Sequence, residues 1–307
     1  MPAEPGADLA REIAGQPALW QLAAVRGAGL RARPGAVAAL PPDGLRLAVI
    51  GCGTSLYVAR AVAALRESAG AGETDAFTPT ELPPRRSYDA LLALSRSGTT
   101  SEVLEAVSRH PGTPVYAVCG DTDSPLSAAA SHVVTLAEAA EPGVVQTRFA
   151  TTVLAMTRAY LGTDLTAAID DARRALADPL PVDPAEHGHF VFLGRGWTVG
   201  LAQEAALKIQ EMAAVVAEAY PAPEYLHGPL GAAAPGTVVW SLDCADPLVL
   251  AAARRAGARV LDRPADPLAE LVAVHRVAHA LARVRGLDPA HPRNLTRSVI
   301  RPPASAG

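Results

Sequence analysis

The sequence predicts an α/β protein of two domains, each a parallel sheet flanked by helices in a doubly wound, three-layer arrangement. Three observations predict it. Short apolar runs alternate with amphipathic stretches of helical period, the pattern of parallel strands joined by crossover helices. Gly- and Ser-rich turns join the two kinds of segment. The same plan restarts after a proline-rich break, Asp178-Pro179-Leu180-Pro181. With 307 residues, the chain is long enough for two ordinary cores.

Residues 1–44 form a helical lead-in, with helices expected across 8–40 and a turn at Pro41-Pro42-Asp43-Gly44. Residues 45–178 form the first domain. Its first strand is Leu45 to Ile50, followed by Gly51-Cys52-Gly53-Thr54-Ser55 and a helix from Leu56 to Glu67. The pattern returns as a strand from Ala90 to Leu94, the turn Ser95-Arg96-Ser97-Gly98-Thr99-Thr100 and a helix from Ser101 to Arg109. Val115 to Cys119 and His132 to Leu136 read as further strands, and Thr147 to Tyr160 and Leu165 to Leu176 as helices. Residues 185–285 form the second domain. It has strands at His189 to Leu193, Thr237 to Leu242 and Ala258 to Leu261, and helices at Val199 to Val216 and Leu268 to Val284. Residues 286–307 are a Pro- and Arg-rich tail. Two similar halves point to duplication.

Composition narrows the function classes. Half of the residues are hydrophobic and the net charge is −4, with no basic run; nucleic acid and anionic membranes are therefore poor partners. No apolar run approaches the roughly 20 residues of a membrane span. Met1 to Arg11 contains Glu4 and Asp8 and no apolar core, unlike a secretory signal. Cys52, Cys119 and Cys244 have no metal-like spacing, which fits a reduced, cytoplasmic protein. Positive charge is almost all arginine, and Lys208 is the one lysine. A lysine retained against that bias sits where arginine cannot serve, or survives by chance on a helix surface.

Ligands of open α/β sheets bind beyond the carboxyl ends of strands. The turn Ser95-Arg96-Ser97-Gly98-Thr99-Thr100 places four hydroxyls and several backbone N–H groups at a helix N-terminus, which favours an anion. Thr54 and Ser55 on the neighbouring turn complete a cradle. Ordinary helix capping uses the same residue types, but one cap needs only one hydroxyl. Gly51-x-Gly53 lacks the third glycine of a dinucleotide fingerprint, since Leu56 stands in its place, and no P-loop is present. A monophosphate is the better fit. Glu204, Lys208 and Glu211 fall on one helix face at spacings of four and three. Taken alone they read as a solvated ionic stripe. Glu218-Ala219-Tyr220 and His227-Gly228-Pro229 follow, and together these supply the carboxylate, amine and imidazole that sugar ring opening and proton transfer need.

On these motifs the chain resembles the tandem SIS (sugar isomerase) family and is similar to the isomerase half of glucosamine-6-phosphate synthase. Cys52-Gly53-Thr54-Ser55, the SxSGxT turn, Glu204-x-x-x-Lys208-x-x-Glu211, Glu218-Ala219-Tyr220, His227-Gly228-Pro229 and Pro292-Arg293-Asn294-Leu295 match in order, from about residue 45 to 300. The resemblance implies that Ser55, Ser95, Arg96, Ser97 and Thr100 hold a sugar 6-phosphate, Arg96 standing where the family usually has glutamine. It implies that Glu211 moves a proton between C1 and C2, that Glu204 and Lys208 line the sugar site, and that His227 opens the ring from a neighbouring subunit of a homodimer. No cofactor or metal is implied.

Two departures bear on the reaction. A glutaminase half is not matched and residue 2 is Pro2, so glutamine-dependent synthesis is not expected. The family's imine-forming lysine aligns with Arg297, a tail contact that cannot form a Schiff base. The expected activity is isomerisation or deamination of a hexosamine 6-phosphate. A dehydratase or lyase acting on N-acetylglucosamine 6-phosphate is the alternative, and a non-catalytic sugar-phosphate sensor is a third reading. His275 and His279, at i, i+4, read as a structural pair rather than as metal ligands.

Overall fold

The computed structural model describes residues 6–33, 35–37, 39–243 and 246–301; Pro2, Cys244 and the end of the tail lie outside them. Helices α1 (Ala7–Ala14) and α2 (Gln16–Arg31) form the lead-in. The first half then runs β1 (Leu47–Ile50), α3 (Thr54–Ser68), β2 (Thr74–Phe77), β3 (Ala90–Ser95), α4 (Ser101–Ser108), β4 (Val115–Cys119), α5 (Pro125–Ala129), β5 (His132–Thr135), α6 (Arg148–Tyr160) and α7 (Thr166–Ala177). The second half runs β6 (His189–Gly194), α8 (Thr198–Ala213), β7 (Val216–Pro221), β8 (Thr237–Leu242), α9 (Pro247–Arg255), β9 (Arg259–Leu261) and α10 (Pro267–Val284).

All strand pairings are parallel. The first sheet has the order β2-β1-β3-β4-β5 and the second β7-β6-β8-β9. The first four strands of each sheet thus follow the same order, although β2 and β7 were not legible in the sequence. β2 is short and half exposed, which leaves little periodic signal. β7 follows a helix that the sequence extends to Val216. The helix instead stops at Ala213 because Ala214 adopts a left-handed conformation, and the β-branched pair Val215-Val216 leads straight into the strand.

Both sheets turn one face toward a shared core. Leu47, Val49, Leu92 and Leu94 from the first sheet, and Phe190, Phe192, Val238 and Trp240 from the second, belong to one continuous apolar cluster with α3, α6, α8 and α10. The alternate residues of each sheet face outward into smaller clusters, Ala48, Ile50, Leu91 and Ala93 in one and Val191, Leu193 and Val239 in the other. This is the two-faced burial that parallel strands require. Because α3 packs directly on α8 inside the shared core, the turn before α3 and the polar face of α8 come together. Among the described residues no helix is long and apolar enough to cross a membrane.

Candidate functional site

The polar face of α8 is not a solvated stripe. Lys208 is fully buried and Glu204 is 1 % exposed. Lys208 Nζ donates to Thr54 Oγ1 at 3.0 Å, lies 3.4 Å from Glu204 Oε1 and bonds Glu211 Oε2. Thr54 Oγ1 in turn donates to Glu204 Oε1 at 3.2 Å. Thr54 therefore closes a ring of polar groups between α3 and α8 and is committed to the carboxylate–amine cluster, outside the anion cradle. Burial acts to lower the Lys208 pKa, but the two carboxylates outweigh it and the net shift is upward. Burial, reinforced by Glu211, pushes the Glu204 carboxyl up to about 8 against the pull of Lys208. Glu211 is the member that reaches outward, with 18 % of its side chain exposed. It lines a cavity of about 540 Å³ together with Asp288, His291, Arg293 and Asn294, a size suited to a small-molecule ligand.

Ser55, Ser95, Ser97 and Thr100 come together as the sequence predicts. With Cys52, Arg96, Gln146 and Arg297 they line a cavity of about 30 Å³. That is the space of two or three waters, by the ~10–15 Å³ each requires. Thr100 precedes α4 but makes no side-chain capping bond, so simple helix capping does not account for its hydroxyl. Ser95 Oγ accepts from Gly98 N at 3.1 Å and Ser97 Oγ accepts from Thr99 N at 3.2 Å, which folds the turn inward. Gly98 has φ +63°, and a Cβ there would collide with the Ser124 side chain, so only glycine lets this turn close. Ser55 in this cavity and Thr54 in the buried cluster are consecutive residues, and they join the two halves of the site.

Arg96 is 3 % exposed, and its outer nitrogens are engaged by backbone carbonyls. Nη1 donates to Gly143 O at 2.9 Å and Val145 O at 3.4 Å, and Nη2 to Val144 O at 3.1 Å and Arg297 O at 3.0 Å. These nitrogens hold the chain around the cradle. The tail crosses the same rim: Ser298 Oγ lies 3.2 Å from Ser97 Oγ and 3.0 Å from Thr99 Oγ1, and Arg301 pairs with Glu102 at 2.8 Å. Arg297 Nε donates to Glu141 O at 3.3 Å. His227 is not drawn into this site. It is exposed at the end of the 3-10 turn Ala222–His227 and makes no hydrogen bond or ion pair among the described residues.

Sequence reasoning missed three groups. Glu141 is fully buried and its carboxylate accepts from Thr147 N, Thr147 Oγ1 and Arg148 N at 2.6–2.8 Å, capping α6. Gln146 sits on the cradle from the loop before that helix. Glu12, on the lead-in helix, is pushed up to about 7 by burial and by Glu141. Glu141 and Gln146 lie on the long connection from β5 to α6, beyond the short helical turn Ala137–Ala139, and Glu12 lies on the lead-in helix. None stands in a Gly- or Ser-rich turn immediately after a strand, the signal that marked the other cradle residues. His275 is buried against Gln16, with 3.3 Å from Nδ1 to Gln16 Nε2, while His279 meets Gly6 O at 3.2 Å. That division fits a structural pair.

A family model described as SIS domain matches residues 43–161. The glutamine–fructose-6-phosphate aminotransferase [isomerizing] of Aeropyrum pernix is 31% identical over 340 positions, covering 90% of this chain and 53% of that protein. A Thermus thermophilus protein of the same name is 28% identical, covering 94% of this chain and 58% of that protein. The chain thus spans about half the length of the curated relatives it matches. Among solved structures, tagatose-6-phosphate ketose/aldose isomerase from Escherichia coli superposes with a TM-score of 0.76 at 20% identity, covering 98% of this chain and 100% of that one. Glucosamine-6-phosphate deaminase from Thermotoga maritima gives 0.74 at 23%, covering 83% and 91%. At those identities the likeness is one of fold. The cradle turns and the helices that follow them fall within residues 43–161, the segment that matches the SIS domain model.

Proposed function

We propose that this chain is an enzyme that binds a hexosamine 6-phosphate and moves its C2 proton, acting as an isomerase or deaminase. The observation that supports this best is the join at Thr54-Ser55. It sets a hydroxyl-lined cradle beside a buried lysine whose carboxylate partner, Glu211, opens onto the large cavity. The second sheet, whose order repeats that of the first, is read as a second SIS-like unit supplying the reactive helix.

In this reading the cradle hydroxyls hold the 6-phosphate and Glu211 takes the proton from C2 of the open-chain sugar. Lys208 keeps the carboxylate oriented, and its buried charge favours the enolamine that forms at Glu211. Return of the proton at C1 gives the ketose-level imine, and water releases ammonia from it. His227, exposed and unpartnered among the described residues, would act from a second copy of the chain to open the ring. Arg297 supports a second reading. It lines the cradle where the family has its imine lysine, and without that lysine an acetylated substrate could instead lose water across C2 and C3.

Incubating the protein with glucosamine 6-phosphate and with N-acetylglucosamine 6-phosphate separates the two readings. Ammonia and a hexose phosphate from the first substrate are expected. A product lighter by one water from the second substrate would transfer the assignment to the dehydratase. Glu211→Gln should lower turnover by about 10³-fold or more while leaving binding intact; unchanged turnover would remove Glu211 from the chemistry.

A further inference from the structure

Arg96 and Gln146 face the same small cavity, and each has a buried polar atom without a partner. Arg96 has five N–H donors. The two outer nitrogens are engaged by Gly143, Val144, Val145 and Arg297 carbonyls. The remaining Nε–H is buried with no acceptor, and Gln146 Oε1 is buried with no donor. Unpaired buried polar atoms are costly; the Arg96 Nε–H calls for an acceptor, and so does the Gln146 amide once it is turned to present its N–H₂ in place of Oε1.

The loop carrying Gln146 is fixed on both sides. Arg96 grips residues 143–145, and the Glu141 carboxylate grips the backbone of Thr147 and Arg148. Gln146 stands between the two grips, so its side chain is presented from an immobilised backbone. A side-chain amide offers either its oxygen or its N–H₂ by rotation about the terminal torsion. Facing an anion it donates.

We propose that Gln146 is a ligand-binding residue of the cradle. Its amide donates to the phosphoryl group of a phosphate monoester alongside the Nε–H of Arg96, while the outer nitrogens of Arg96 hold the loop and the tail in place. The amide that the family resemblance leads one to expect at position 96 is then delivered from position 146. This assignment rests on the sugar-phosphate reading above and adds to it the residue that recognises the phosphoryl end.

Calorimetric titration with inorganic phosphate tests it directly, using wild type, Gln146→Ala and the near-isosteric Gln146→Glu, whose charge repels an anion. Gln146→Ala should weaken phosphate binding about 10-fold and Gln146→Glu by about 100-fold or more. KM for glucosamine 6-phosphate should rise in parallel, with kcat changed by less than about 2-fold. If the alanine variant unfolds, the glutamate variant, of the same shape, carries the comparison. Equal phosphate binding by wild type and folded variants overturns the assignment of Gln146 alone. A wild-type protein that binds no phosphate overturns it together with the reading on which it rests.

Discussion

Lys208 is enclosed by Glu204, Glu211 and Thr54, and the choice of lysine follows from the space. A compact ammonium reaches three oxygens from a fully buried stem, whereas a planar guanidinium needs a wider fork of acceptors. The balance of charge falls on Glu204, whose carboxyl is held near 8, so the folded protein keeps a proton there at neutral pH. The unfolded chain releases that proton near the ordinary value of 4.5. The associated stability is complete below that value and is lost as pH rises toward 8. Glu204→Gln preserves the shape without titrating, so the gap in unfolding free energy between variant and wild type should shift in the variant's favour across this window. Urea unfolding at several pH values between about 5 and 8 measures it, and a gap independent of pH would show that Glu204 does not titrate there. His275 works in the opposite sense. Burial, with Lys208 adding to it, brings its pKa down to about 3, so its contribution is complete above 6.5 and lost as pH falls toward 3.

At the scale of elements, the segment from Glu141 to Thr147 organises the cradle although it has no regular structure of its own. Its glutamate caps α6, Arg96 holds its middle and Gln146 faces the ligand space. Glu141→Ala would leave the first turn of α6 without its buried acceptor. The loss should be roughly 2–4 kcal/mol, the scale of several charge-assisted bonds at a buried helix N-terminus. Denaturant unfolding should show this, together with weaker phosphate binding as Gln146 loosens; a stability within about 0.5 kcal/mol of wild type would rule it out. How much of this was legible in the sequence follows from the type of signal. The strands on either side of the two Gly/Ser-rich turns, and the helices after them, carry strong periodicity and were placed within a few residues. The α8 cluster could be named, but its burial could not. Helical spacing shows that three charges share a face and says nothing about what packs there, which here is α3. Gln146 and Glu141 were invisible because their roles depend on contacts with Arg96 and the α6 backbone, neither of which follows from any local pattern.

At the scale of the whole molecule, the two sheets hold one core between them, and every site group except His227 sits where that core brings the turn before α3, α8 and the tail together. His227 lies on the outgoing connection of β7, exposed and without a partner among the described residues. A histidine so placed can serve the Glu211 cavity of a second copy, and symmetric dimers provide that geometry. Mixing two inactive variants tests this idea without a structure of the complex. Glu211→Gln lacks the base and His227→Ala lacks the imidazole. A dimer with one subunit of each kind has one site in which both are intact. Equal, fully exchanged mixtures should therefore recover about a quarter of wild-type turnover, since about half the dimers are mixed and each has one working site in two. If His227 instead acted within its own subunit, every site in the mixture would lack one group or the other. Turnover would then stay at the level of the separate variants however long the subunits exchanged.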